Sequence, residues 1–109
     1  MNEELYALLS AIKPTYHMEL PSGASEGIVY QLAYATDGTY ETGAALTETY
    51  TYRITVYQTA YDGAVISTIL SALRAGGWAI QSREQLRQHD GTTDYYQHVI
   101  DVAKGSLIT

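Results

Sequence analysis

Cysteine and phenylalanine are missing from this chain, proline occurs twice, and only six of 109 residues are basic. Without cysteine there is no disulfide scaffold, no thiol catalysis and no thiolate metal site. The few Lys and Arg never cluster, and twelve acids set the formal net charge at −6. Holding nucleic acid takes clustered bases against phosphates, so sequence-specific binding is not expected. An acidic surface would still let DNA pass nearby without sticking. Long apolar runs are lacking too. The longest uncharged stretch, "GAVISTILSAL" at 63–73, is far shorter than the roughly 20 residues that span a bilayer. The opening "MNEELYALLSAIK" carries two early acids and no continuous apolar run, unlike a secretory signal. The expectation is a soluble protein made in the cytoplasm, with no membrane contact.

What the chain does have is an ordinary globular share of apolar residues, 46%, and a lopsided aromatic set of eleven Tyr and one Trp. A length of 109 suits one domain, 1–109, with one core. Tyrosine is a favoured strand residue. It also suits places that are dry at one end and wet at the other, such as interfaces.

Residues 3–12 read as a helix, with Leu5, Leu8, Leu9 and Ile12 on one stripe and Pro14 as its stop. "TYHMEL" (15–20) reads as a short extended segment before the turn-rich "PSGASEG". "IVYQLAYA" (28–35) is a strand apolar on both faces, which implies a central place. The polar, glycine-bearing 36–48 reads as an exposed connection of a length that is often functional or disordered. In the next strand, about 48–58, Tyr50, Tyr52, Ile54 and Val56 point to one face and Thr51, Arg53, Thr55 and Tyr57 to the other. The first set can cover a core. The second, half polar and half aromatic, looks at water or at another molecule.

A second helix runs from about 63 to 75, capped by Asp62, buried through Val65, Ile66, Ile69, Leu70 and Leu73, and ended at Gly76. Its outer residues Ala64, Ser67, Thr68 and Ser71 are small and uncharged, where a solvated face normally carries charge. Such a face either meets solvent or lets a second surface approach closely. "WAIQSREQLRQ" (78–88) fits strand or helix, with Trp78, Ile80 and Leu86 sharing strand parity. "YYQHVIDVA" (95–103) closes the chain as a strand. This order predicts a single α+β domain, an antiparallel four-stranded sheet with two helices on one face.

No catalytic constellation emerges, and the expectation is a non-enzyme without cofactor or metal. His17, His89 and His98 lack metal-site spacing. Ser22, Ser25 and Ser67 have no identifiable base or nucleophile-elbow setting. Gly76-Gly77 follows a helix and so cannot cradle a phosphate at a helix N-terminus.

The order "LYALLSAI", "PTYHMELP", "GIVYQLAYATDGTYE", "YTYRITVYQTAYD", "LRAGGW" and "TTDYYQHVIDV" resembles the small tail-completion proteins of long-tailed bacteriophages and prophages, over residues 5–103. The resemblance implies a structural virion protein, a tail terminator at the head-proximal end of the tail. Such proteins are ring subunits, commonly hexameric, that cap the tail tube and join it to the head. Implied partners are other copies of the chain, the tail tube and connector proteins, with a monomer in solution compatible with a ring in the virion. A ring subunit shows unlike patches to its two neighbours. The candidates are Arg53, Thr55 and Tyr57 with Ser67 and Ser71. Asp37, Tyr40, Glu41 and Glu48 in the connection are candidates for tail contact. Two other readings stand beside this one: a head-side connector component, and a small α+β ligand-binding or regulatory partner protein.

Overall fold

The computed structural model describes residues 2–37, 40–41, 44–45, 47–90 and 93–107. The chain runs α1 (Asn2–Ser10), β1 (Thr15–His17), β2 (Gly27–Asp37), β3 (Tyr40–Glu41), β4 (Ala44–Ala45), β5 (Thr47–Gln58), α2 (Gly63–Ala75), β6 (Ala79–Asp90) and β7 (Thr93–Leu107). Five strands form one sheet in the order β1-β2-β5-β7-β6, and β3 pairs with β4 separately. The α+β class holds, with a correction to the sheet. It has five strands rather than four, and it is mixed, because β1 runs parallel to β2. The physical reason lies in the stretch 18–26, which carries the chain back to the start of β1 instead of reversing it beside β1.

Both helices lie on one sheet face, as expected. Leu5 and Leu9 of α1 and Ile66, Ile69, Leu70 and Leu73 of α2 form one core with Ile28, Tyr30, Tyr52, Ile54, Val56, Ile100 and Val102. The even-numbered residues of β5 supply the core side, as their alternation requires. Trp78 sits edge-on to Tyr52, with ring centroids 5.7 Å apart at 87°.

The ends of α2 follow from three residues. Asp62 caps it, its Oδ1 accepting from the Ala64 N–H at 3.0 Å. At the other end the Trp78 N–H bonds to the Leu73 carbonyl and the Gly77 N–H to that of Arg74. This pair of bonds is the Schellman arrangement, which needs a left-handed residue, and Gly77 supplies it at φ +87°. Lys104 then locks the corner. Its Nζ donates to the Gly76 carbonyl at 2.8 Å, pairs with Glu4 of α1 and stands 5.6 Å from the Trp78 ring centre. A cation suits a helix C-terminus, as Glu4 suits the first turn of α1.

Residues 78–88 resolve as strand because β6 pairs along its length with β7. A bulge between Ile80 and Ser82 breaks the shared parity, so Ile80 faces the core opposite Val102 while Leu86 stands on the other face opposite Gln97. The connection 36–48 is also corrected. β2 and β5 stay paired out to Asp37 and Glu48, and Tyr40 pairs with Ala45, so the described part of this stretch is a hairpin arm. Thr36, Thr47 and Thr49 are good strand formers, and pairing continues where polarity alone suggested a loop.

Two substitutions test this packing. Ile69→Ala is expected to cost about 2–5 kcal/mol, read from the denaturation midpoint, and an unchanged midpoint would remove Ile69 from the core. Gly77→Ala is expected to cost about 1–2 kcal/mol by the same readout, because any side chain there is strained.

Candidate interaction surface

With both helices on the even side of β5, its odd side is left without a helical layer. The residues there share cross-strand rows. Thr55 lies between Val29 and Val99, Arg53 between Gln31 and Asp101, and Thr51 between Tyr34 and Ala103. Thr51, Val29 and Ala103 are buried among these neighbours, while Thr55 and Tyr57 are half-buried and Tyr34 is exposed. The face is therefore mostly uncharged, made largely of Thr, Val, Ala, Gln and Tyr, with Glu84 and Leu86 on its β6 side.

Its central charge is neutralised internally. Arg53 Nε donates to Asp101 Oδ1 at 3.0 Å and Arg53 Nη2 to Oδ2 at 3.2 Å, and Ser82 Oγ donates to Oδ2 at 3.3 Å. The guanidinium bond holds the Asp101 carboxyl below the usual range, against the opposing effect of partial burial, and the Arg53 charge adds to it. The same bond raises Arg53 further above its ordinary value. With the Arg53 side chain 50% exposed, the pair contributes on the order of 1 kcal/mol or less. Its larger effect is to pair off the central cation of the face, with Glu84 as the nearby acid.

Ser67 and Ser71 are exposed on α2, with Ala64 and Thr68 beside them. Thr68 Oγ1 donates back to the Ala64 carbonyl at 2.9 Å, so its hydroxyl is spent within the helix. Because α2 lies on the core side of the sheet, these serines and the Arg53 face look in opposite directions. The structure thus separates the expected interface residues into two patches.

The arm residues are placed by their backbone at the far end of β2, in β3 and at the start of β5. Asp37 closes β2 and pairs with Glu48, and Tyr40 and Glu41 make up β3. The side chains of Asp37, Tyr40 and Glu41 lie outside the described part of the structure, as do residues 38–39, 42–43 and 46. Glu48 is half-buried and accepts from the Tyr50 hydroxyl.

A cleft of about 550 Å³ opens at the end of the sheet, among Pro14, Gly27, Ile28, Val56, Tyr57, Tyr61 and Val65. Three of its polar residues are paired within the chain, Glu26 accepting from the Thr59 N–H at 3.4 Å and Gln58 bonding Asp62. Gln58 donates to the Asp62 carbonyl at 3.2 Å and accepts from the Asp62 N–H at 3.3 Å. Polar groups converging on a small ligand are what a binding pocket needs, and here Gln58 and Asp62 are turned to each other.

Of the histidines, His17 is exposed and stacks at 5.0 Å on Tyr30, and the His89 side chain lies outside the described part. His98 is buried in β7 on the core side. Its Nε2 accepts from Arg83 Nε at 3.5 Å, and its Nδ1 has no hydrogen-bond partner among the described residues. Among the described residues no three His, Asp or Glu gather as a metal site. No described helix is long and apolar enough to cross a membrane.

Sequence reading missed Asp101 and Ser82 as partners of Arg53. The lone acid in "HVIDVA" was visible, but its match to a residue 48 positions away depends on register.

No family model and no curated protein matches this chain. Among solved structures it is similar to a chain of the "Virion of native gene transfer agent (GTA) particle". The two are 17% identical, with a TM-score of 0.48, and the match covers 94% of this chain and 84% of that one.

Burial and then the Arg83 charge lower the His98 pKa, which favours the neutral ring in the folded state. The folded value lies below the unfolded one, so the stability it contributes is present above about pH 6.5 and is lost as pH falls through the folded value. Wild-type stability is therefore expected to drop between pH 7 and 5, and His98→Asn to flatten that drop. Equal pH slopes in the two proteins would refute this assignment.

Proposed function

We propose that this chain is a structural, non-enzymatic subunit of a phage-like virion. In this reading it is a tail-completion protein that forms a ring, caps the tail tube and takes part in head–tail joining. The observation that carries the proposal is the pair of weakly charged patches on opposite sides of the molecule. One is the open sheet face around Arg53, Thr55 and Tyr57, and the other is the small-residue face of α2 around Ser67 and Ser71. A subunit held between two neighbours needs two unlike patches, and this geometry offers them. Tyr and Arg are residues that interfaces favour, and internal neutralisation of Arg53 lowers the cost of covering it.

The sequence resemblance to tail-completion proteins adds the setting. It supports a ring, commonly of six, at the head-proximal end of the tail, assembled from chains made in the host cytoplasm. The net charge of −6 suits a ring through which DNA moves without adhering. The arm that carries Asp37, Tyr40, Glu41 and Glu48 would reach the neighbouring tail ring.

Tyr57→Glu tests the reading, because it puts a charge on the open face at a half-buried site without entering the core. The expected result is a folded chain, with its circular dichroism unchanged, that no longer enters tails or completes them. Normal head–tail joining by this variant would contradict the proposal.

A further inference from the structure

β1 pairs with β2 for only three residues, and then Met18, at φ +79°, turns the chain away. That left-handed backbone is costly for a residue with a side chain. Beyond it, from 31 to 37, the outer margin of β2 pairs with no described strand. The Ile28 N–H donates to the Pro14 carbonyl at 2.9 Å, and the Tyr30 carbonyl accepts from the Met18 N–H at 3.0 Å. The even residues here thus turn their backbone groups outward, and Leu32 is the next in that series.

An exposed edge is normally guarded by charge, yet "QLAYAT" at 31–36 carries none. Apolar groups stand there instead. Six large apolar side chains are exposed among the described residues, and of these Leu32 and Tyr34 stand on β2, on opposite faces, Met18 where β1 leaves β2, and Tyr6 on α1. Tyr6 reaches β2 through Tyr30, at 6.3 Å between ring centroids.

The opposite margin of the sheet is β6, whose outer edge also pairs with no described strand. It carries Arg83, Glu84, Arg87 and Asp90. Two β6 edges meeting antiparallel about Gln85 would set arginine against arginine, whereas the β2 edge sets no charge against them. β2 itself holds no base and a single acid, Asp37, at its far end. An uncharged edge that ends in an acid suits the two arginines of β6 better than a second β6 edge does.

We propose that the β2 edge receives the β6 edge of a second copy of this chain, by strand addition that continues the sheet from one subunit to the next. Because the two edges lie at opposite margins of one sheet, the contact is head-to-tail and repeats. It covers Leu32 and its apolar neighbours, and it leaves the open sheet face for contact along the tail. This inference rests on the ring reading above and adds which edges meet.

The absence of cysteine makes a cross-linking test clean. Full-length Leu32→Cys and Gln85→Cys chains are made separately and treated with a short bis-maleimide, alone and mixed. The expected result is a cross-linked dimer in the mixture, at least several-fold more than in either protein alone. Leu32→Lys, at an exposed position, is expected to weaken self-association in sedimentation while the denaturation midpoint stays unchanged. Cross-linking of Leu32→Cys with itself as readily as in the mixture, or no excess in the mixture, would overturn the proposal. If the mixture fails to cross-link while Tyr57→Glu still abolishes tail completion, the ring reading survives and the edge assignment falls. If the mixture cross-links and Tyr57→Glu completes tails normally, the edge assignment survives without the face.

Discussion

Two short helices have to cover a long sheet, and the rest of the molecule follows from that mismatch. α1 has 9 residues and α2 has 13, while β7 has 15. At about 1.5 Å per helical residue the helices reach only about 14 and 20 Å. At about 3.3 Å per residue, β7 runs about 50 Å. One face over the middle of the sheet is all the helices can bury, and the extents of 59 × 24 × 22 Å reflect the strands running past them. The covered middle holds the fully buried residues Leu5, Leu9, Ile54, Ile69, Leu73 and Ile100. Lys104 fixes the corner where both helices meet the sheet, through Gly76 and Glu4.

The uncovered face then has to be stable without a second layer, and its composition shows how. Thr, Val and Tyr fill it, residues that suit a pleated, half-buried surface. Its central charge pair, Arg53 with Asp101, is held in a bidentate bond. A face built for water alone would carry more charge. A face built for a permanent core would carry more Leu and Ile. This one lies between, as the rim and centre of a protein contact do.

How much of this the sequence disclosed depends on the range of the interaction. The alternation in 50–57 assigned each residue to the correct face, and the Asp62 cap, the Ile66 to Leu73 stripe and the glycine stop of α2 were local signals that held. Long-range pairing was not legible. Nothing local to "TYH" says that it joins β2 in parallel, and nothing local to Arg53 names Asp101. The bulges at Ala33 and Gln81 have the same character, since one extra residue reverses the parity on which a strand reading depends. For that reason Leu86 was grouped with Trp78 and Ile80, and the free edge of β2 was hidden behind an apolar pattern that suggested a fully central strand.

The central claim is that the sheet face opposite the helices is covered in an assembled particle. Hydroxyl-radical footprinting of the side chains, read by mass spectrometry for the free chain and for virions that contain it, tests this most directly. The account predicts that Tyr57 and Val99 lose most of their reactivity on assembly, while core residues such as Ile54 and Ile100 stay unreactive in both states. Equal reactivity of Tyr57 and Val99 in the free chain and in the virion would contradict it.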